Sequence, residues 1–354
     1  MNKRNLFYFI QFCVLLFGAS FPFWRITDVF NIYDPLWIIF PAAIFTVLFA
    51  YTFGTYFDPQ QKVLKFLKKI VVYWLAGGSI LFFTLLALSA LNIIIGLDNY
   101  LIASATIGIS ALLIMYSYHN ASRVFITSLS LESDKIQQEY NFVQLSDIHV
   151  GSNGKHEVAR IVEKMKPLNY DFVVITGDLI DEDYATIQDL VPLHEIEKPI
   201  YYITGNHEYY LRHKHFSDFI KKTDIHDLND KKTTYKEIDI YGMDEKSLIK
   251  DILPGLKVEP QRYSIGLMHK PESSEMKDAE AAGIDLMLSG HTHNGQIFPT
   301  NLMVRGKYKF IQGLYNLGRM TIHVSQGTGT WGPKMRLGTY NEITLVRLSP
   351  KETH

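Results

Sequence analysis

Four stretches of the chain contain no Asp, Glu, Lys or Arg: Asn5 to Trp24, Pro35 to Phe57, Ile70 to Leu97 and Asn99 to Ser122. Each reaches the ~20 apolar residues that a helix needs to cross a bilayer core. Helices buried in soluble proteins seldom stay uncharged for so long, so the pattern predicts four membrane spans over residues 1–122. Residues 123–354 read differently. Short apolar runs at Phe142–Leu145, Phe172–Thr176, Ile200–Thr204, Ile238–Tyr241, Tyr263–Met268, Ile284–Leu288, Met320–Val324 and Glu342–Leu348 predict strands. Helical spacing predicts helices over His156–Met165, Tyr184–Ile196, Tyr210–Lys222 and Ser273–Ala282. Val124 to Leu131 reads as a strand, and Glu132-Ser133-Asp134-Lys135 as the turn of a hairpin leading into Asn141–Leu145. The alternation predicts an α/β domain of two packed mixed sheets flanked by helices.

Basic residues orient the spans. Lys3 and Arg4 precede the first, and Lys62, Lys65, Lys68 and Lys69 lie between the second and third. Arg25 stands alone in the first connection, and Asp98 fills the last. Lysine and arginine favour the cytoplasmic side, so the N-terminus, the lysine-rich loop and everything after Ser122 are predicted to be cytoplasmic. A signal peptide ending near Gly18-Ala19-Ser20 is the weaker reading, because the apolar run continues through Phe21, Phe23 and Trp24. Lys62 to Ile70 is either a solvated turn or an amphipathic segment on the lipid surface. The bilayer is thus one expected partner. A net charge of −1 gives no reason to expect a nucleic-acid polymer, and no obligate protein partner is evident. The single cysteine, Cys13, excludes an intrachain disulfide and a thiolate metal site.

Chemistry concentrates in five short segments of the second half: Asp147-Ile148-His149, Gly177-Asp178-Leu179-Ile180-Asp181, Gly205-Asn206-His207-Glu208, His269 and Gly290-His291-Thr292-His293. Each lies at or near the end of a predicted strand, where side chains converge on one rim. Carboxylate, imidazole and amide oxygen suit hard or borderline divalent ions. Asp147 and His149 are two residues apart, as are His291 and His293, so on extended backbone each pair points one way.

The five motifs and their order resemble the calcineurin-like metallophosphoesterase family over roughly residues 140–349. The resemblance implies two ions, one held by Asp147, His149, Asp178 and His293, the other by Asp178, Asn206, His269 and His291. Manganese is favoured by the resemblance, with iron, zinc or magnesium as alternatives. Two such ions about 3.5–4 Å apart activate a bridging hydroxide for attack on phosphorus. The resemblance further makes His207 the acid that protonates the leaving oxygen, and Asp181 the carboxylate that orients His207. Two departures matter. Ser146 stands where many members have glycine, and Asp181 is not followed by the Arg-Gly of protein Ser/Thr phosphatases. Both features, with the glycine-rich segment Gly327 to Gly338, are closer to a membrane-associated bacterial branch. Some relatives in that branch hydrolyse the pyrophosphate of UDP-2,3-diacylglucosamine. The expectation is therefore a multi-pass bacterial inner-membrane phosphoesterase acting on a phosphoester, with a lipid-linked one as the leading candidate. A phosphatase or phosphodiesterase for soluble nucleotides, a non-catalytic metal scaffold and a regulated transporter are the alternatives. Lys334 or Arg336 is a candidate for contact with a phosphate, against a purely structural turn. Arg305, Lys307 and Lys309 read as a solvated loop in preference to a lipid-facing one, and His213 and His215 as surface residues.

Overall fold

The structure is a computed structural model and describes residues 21–22, 24–30, 62–211 and 220–351. The span expected at Pro35–Phe57, nearly all of that at Asn5–Trp24, Cys13, His213 and His215 lie outside the described residues. The chain divides into two compact units, Met1–His119 and Asn120–His354.

In the first unit, Lys62–Ile95 and Asn99–Ala121 are helices long and apolar enough to cross a membrane. Among the described residues these are the two that pass on length and composition; four are not found there. The first helix starts eight residues before the expected Ile70. The lysine-rich stretch is therefore neither a turn nor a separate surface helix but the opening turns of one continuous helix. Two threonine hydroxyls inside the helices return to the backbone, Thr84 to the Ile80 carbonyl and Thr106 to that of Ile102, each at 2.8 Å, which satisfies them within the helix. The connection is set by Asn92, which accepts the Leu97 N–H, and by Asp98, which accepts that of Tyr100.

The second unit holds two six-stranded mixed sheets. The first sheet contains β1 (Val124–Ser133), β2 (Tyr140–Leu145), β3 (Phe172–Thr176), β4 (Ile200–Ile203), β5 (Ile225–Asp227) and β12 (Asn341–Pro350), in the order β1-β12-β2-β3-β4-β5. The second contains β6 (Lys231–Tyr235), β7 (Ile238–Gly242), β8 (Tyr263–Leu267), β9 (Leu286–Ser289), β10 (Gly313–Leu317) and β11 (Met320–Val324), in the order β10-β11-β9-β8-β7-β6. Period-two alternation gives each central strand two buried faces. Phe142, Phe172 and Val174 join Ile240, Ile265, Leu286 and Leu288 in the core between the sheets. Val143, Leu145, Val173 and Ile175 face the other way, against Val158, Ile161, Val162 and Met165 of the helix Lys155–Met165. Met287, Ile322 and Val324 pack on Ile249, Leu253 and Met276 of the helices Ile249–Leu256 and Ser273–Ala282.

Three local expectations change. β1 and β2 do not form a hairpin. β12 lies between them, parallel to β1 and antiparallel to β2, because its ten-residue run can pair on both edges at once. The helix expected over Tyr184–Ile196 is shorter. Thr186 and Asp189 form a capping box that starts it at Ile187, and Pro192 confines the remainder to a 3-10 turn, Val191–Glu195. Arg305 and Lys307 are not in a loop but in the last turn of the helix Thr300–Lys307, whereas Lys309 lies beyond its end. Of the helix expected at Tyr210–Lys222, residues 212–219 lie outside the described residues, and the preceding Asn206–Tyr210 is a short helix.

Candidate metal centre

β2, β3 and β4 run parallel in the first sheet, and β7, β8 and β9 in the second. The five motifs leave the C-terminal ends of β2, β3, β4, β8 and β9, the rim where α/β sheets build their sites. The loops after β2 and β3 continue the ladder: Asp147 N–H bonds the Gly177 carbonyl, and His149 N–H that of Asp178, both at 3.0 Å.

The paired spacing works differently from expectation. Asp147 and His149 are not extended but have φ of 53° and 54°. Asp178, His291 and His293 are also left-handed, with φ of 51°, 71° and 47°. Non-glycine residues seldom adopt this conformation, which costs about 1–3 kcal/mol each and clusters where a site requires it. Five of the seven proposed ligands are therefore aimed by strained turns rather than by strand alternation.

Three donor groups result: Asp147, His149 and His293 form the first, Asp178, His269 and His291 the second, and His149, Asp181 and His207 a third that shares His149 with the first. In the first, His293 Nε2 lies 3.2 Å from Asp147 Oδ1 and 3.0 Å from His149 Nε2. In the second, His269 Nε2 is 3.1 Å from Asp178 Oδ2. The same Asp178 oxygen is 3.9 Å from His149 Nε2, so one carboxylate faces both the first and the second group. Asn206 Oδ1 is buried without a hydrogen-bond partner. A buried oxygen left unused and carboxylates crowded with imidazoles fit bound cations, which would complete them. The residues present thus fit divalent metal ions.

Groups behind the donors fix their orientation. His269 Nδ1 donates to the Thr176 carbonyl at 2.8 Å, which turns Nε2 inward. His291 Nε2 meets the Tyr308 hydroxyl at 2.8 Å. Ser146, the departure from glycine, donates its hydroxyl to Asp147 Oδ2 at 2.5 Å. Glu208 is buried and ties two motifs together, accepting the Ile180 N–H at 2.9 Å and the Gly205 N–H at 2.8 Å. Burial, then Asp178, pushes its carboxyl up to about 7. Tyr308, Ser146 and Glu208 were given no role in the metal centre from sequence. Glu208 stood inside a motif, whereas nothing in the sequence ties Tyr308 to His291.

Asp181 faces both His149 and His207, its carboxylate lying within 4.8 Å of a ring nitrogen of each. Its Oδ2 lies 3.3 Å from His149 Nδ1, and its Oδ1 accepts the Ser152 N–H at 2.9 Å. His207 is close by, its ring edge-on to His149 at 4.8 Å and its Nε2 4.0 Å from Asp178 Oδ2. Burial, reinforced by His149, lowers His207 to about 4. Burial resists protonation of His269, but Asp178 overcomes it and raises the imidazole to about 10. Adjacent groups driven in opposite directions are typical of functional sites.

The glycine-rich segment is structural. Arg336 is fully buried, donating to the Gly327 and Gly329 carbonyls, to Asn341 Oδ1 and to the His293 carbonyl. Lys334 pairs with Glu157 at 2.8 Å. Their cationic ends are thus held by protein groups.

Residues 140–295 match the family model described as calcineurin-like phosphoesterase. An uncharacterized metallophosphoesterase of Campylobacter jejuni is 30% identical, over 98% of this chain and 100% of its own length. The chain belongs to the calcineurin-like metallophosphoesterase family. Another uncharacterized metallophosphoesterase, from Helicobacter pylori, is 34% identical over 66% of each chain. A transmembrane protein with metallophosphoesterase domain from Danio rerio is 30% identical over 68% of this chain and 61% of its own. Calcineurin-like metallophosphoesterases are phosphoester hydrolases, and this chain is an enzyme of that class.

Proposed function

We propose that this protein is a membrane-anchored phosphoesterase that uses two divalent metal ions to hydrolyse a phosphoester or pyrophosphate bond, with a lipid-linked molecule as substrate. The observation that carries the reading is the pair of donor groups that both face Asp178 Oδ2, with Asn206 Oδ1 of the adjoining motif buried and unpartnered. On this reading Asp147, His149, Asp178 and His293 hold one ion, and Asp178, Asn206, His269 and His291 the other. Bound there, the ions supply the activated nucleophile and the charge compensation of in-line displacement at phosphorus.

The chain's own residues do the rest. Thr176 and Tyr308 hold the His269 and His291 rings in place. His207 is bare of a strong partner and neutral near pH 7 without substrate, being lowered to about 4. A bound phosphate dianion at that place favours its protonation, which equips it to deliver a proton to the leaving oxygen. The two apolar helices support a membrane anchor in the region 1–122, with the catalytic domain in 123–354. So does the Danio rerio relative, whose name includes a transmembrane part. A lipid-linked substrate accounts for an anchor that a soluble one would not require.

The test uses the purified full chain. Exhaustive chelation should abolish hydrolysis of a chromogenic phosphodiester, and Mn²⁺ should restore it. Undiminished turnover with metal content at nil would end the metal-dependent reading. A panel of lipid-linked and nucleotide phosphoesters then reads the substrate class. Turnover confined to the nucleotides would remove the lipid-linked part.

A further inference from the structure

Beside the metal centre lies a surface that the hydrolytic reading does not use. The helix Thr300–Lys307 buries none of its residues. Leu302 is 59% and Met303 77% exposed, and Phe298, just before the helix, is 53% exposed. Trp331, in another segment, is 56% exposed. Its backbone N–H and carbonyl both bond the side chain of Gln296, at 2.9 and 3.0 Å, and Phe298 N–H bonds the Leu337 carbonyl at 2.8 Å. Eight residues are too few for a helix to persist in water on propensity alone. Large apolar groups clustered in the open mark a contact surface.

The patch is fastened to the site. Trp331 stacks edge-on against His207 at 5.6 Å. At the far end of the helix Tyr308 turns inward to meet His291. Whatever covers the patch therefore sits at the mouth of the metal centre.

Charge identifies the cover. From Leu286 to Asn341 there is no Asp or Glu at all. Arg305, Lys307 and Lys309 flank the apolar group and are exposed. Exposed apolar side chains beside cations, on a segment that itself carries no acid, complement an anionic lipid surface; Glu157, which reaches the segment from another element, is paired with Lys334. A protein partner would demand mixed polarity at the rim. We propose that Phe298, Leu302, Met303 and Trp331 form a docking face that seats the mouth of the metal centre on an anionic bilayer surface. This rests on the membrane anchoring proposed above, and extends it from a tether to an oriented active site.

The test places one cysteine in the full chain, after Cys13→Ser, at Met303 or at Gln261. Gln261 is exposed in the turn before β8, at the opposite end of the sheets from the site. Each protein carries an environment-sensitive bimane and is reconstituted in nanodiscs of phosphatidylcholine, with or without phosphatidylglycerol. Nitroxide-labelled lipid is one quencher and aqueous iodide the other. The expected result is lipid quenching at Met303 but not at Gln261, stronger in the anionic discs. The combined Arg305→Glu, Lys307→Glu and Lys309→Glu variant should lose that excess. A Met303 probe quenched by lipid no more than the Gln261 probe would overturn the proposal. So would a Met303 probe shielded from both quenchers, which would mean that protein covers the patch, either residues 212–219 or a second copy. Hydrolysis of a soluble chromogenic diester is followed in the same discs. Its absence would count against the catalytic reading alone, because the docking signal is spectroscopic.

Discussion

Asp181→Asn asks what the carboxylate behind the centre acts upon. Asp181 Oδ2 and His149 Nδ1 are 3.3 Å apart, and both side chains are out of solvent. The second carboxylate oxygen is pinned by the Ser152 N–H. The amide preserves shape and the Ser152 contact while removing the charge that favours a proton on His149 Nδ1, and with it a lone pair on Nε2. Losing such an outer carboxylate typically lowers metal affinity about 10- to 100-fold, which is roughly 1.4–2.8 kcal/mol. In the ligand assignment proposed above His149 serves one of the two ions, so that ion should weaken and the other should hold. Titration of the metal-free full chain with Mn²⁺ against a competing chelator reads both affinities. Turnover on good and poor leaving groups should fall alike once metal is limiting, and recover at high Mn²⁺. Two unchanged affinities, with the loss confined to poor leaving groups, would refute this. Asp181 would then act on His207, as the family resemblance implied.

Asp178→Asn should lose both ions, whereas His207→Ala should keep them and slow turnover by about 10²–10⁴-fold, least for p-nitrophenolate, which needs little protonation; metal content and leaving-group dependence check both. A Cβ on Gly290 would meet Ser146 Oγ and Asp147 Oδ2, so Gly290→Ala should displace Asp147, shed metal and destabilise the fold by about 1–3 kcal/mol, measured by metal analysis and urea titration. His323 is fully buried, and burial lowers it to about 4 from an ordinary 6.5. The unfolded chain then takes up a proton that the fold refuses, so stability is full above about pH 6.5 and falls by about 3 kcal/mol as pH drops to 4. His323→Gln should flatten that part of the acid dependence of Tm relative to the parent. A reporter fused after His354 should be active only as a cytoplasmic fusion; periplasmic phosphatase activity would reverse the orientation read from the lysines.

The parts legible in the sequence are those where one physical signal dominates. β2, β3, β8 and β9 are apolar runs that end in a ligand motif, and burial along β3, β8 and β9 is complete. Three strands escaped notice, β5, β6 and β10, and each lies at a sheet edge or forms one. An edge strand buries fewer residues and keeps polar ones, as Lys231 and Lys232 do in β6, so no apolar run announces it. The helix Ile249–Leu256 was hidden by Pro254. The residues of the centre were legible as motifs, but their aim was not. Left-handed turns at Asp147 and His149 replace the extended geometry that spacing suggested, because backbone angle is decided by the bonds to Gly177 and Asp178 across the rim. Contacts between distant segments, such as Tyr308 to His291 or Asp181 to His149, leave no mark in local pattern.

The place of β12 governs how the catalytic unit comes into being. β1 emerges from the ribosome directly after the apolar helix that precedes it, yet its partner, Asn341 to Pro350, follows more than two hundred residues later. Until then β1 and β2 both present open edges, a state prone to pairing with other chains. Closing so long a loop is slow compared with local folding. The nascent chain therefore completes its sheet only after nearly all of it has been made, and a message truncated before Asn341 would yield a product without the strand that joins β1 to the rest.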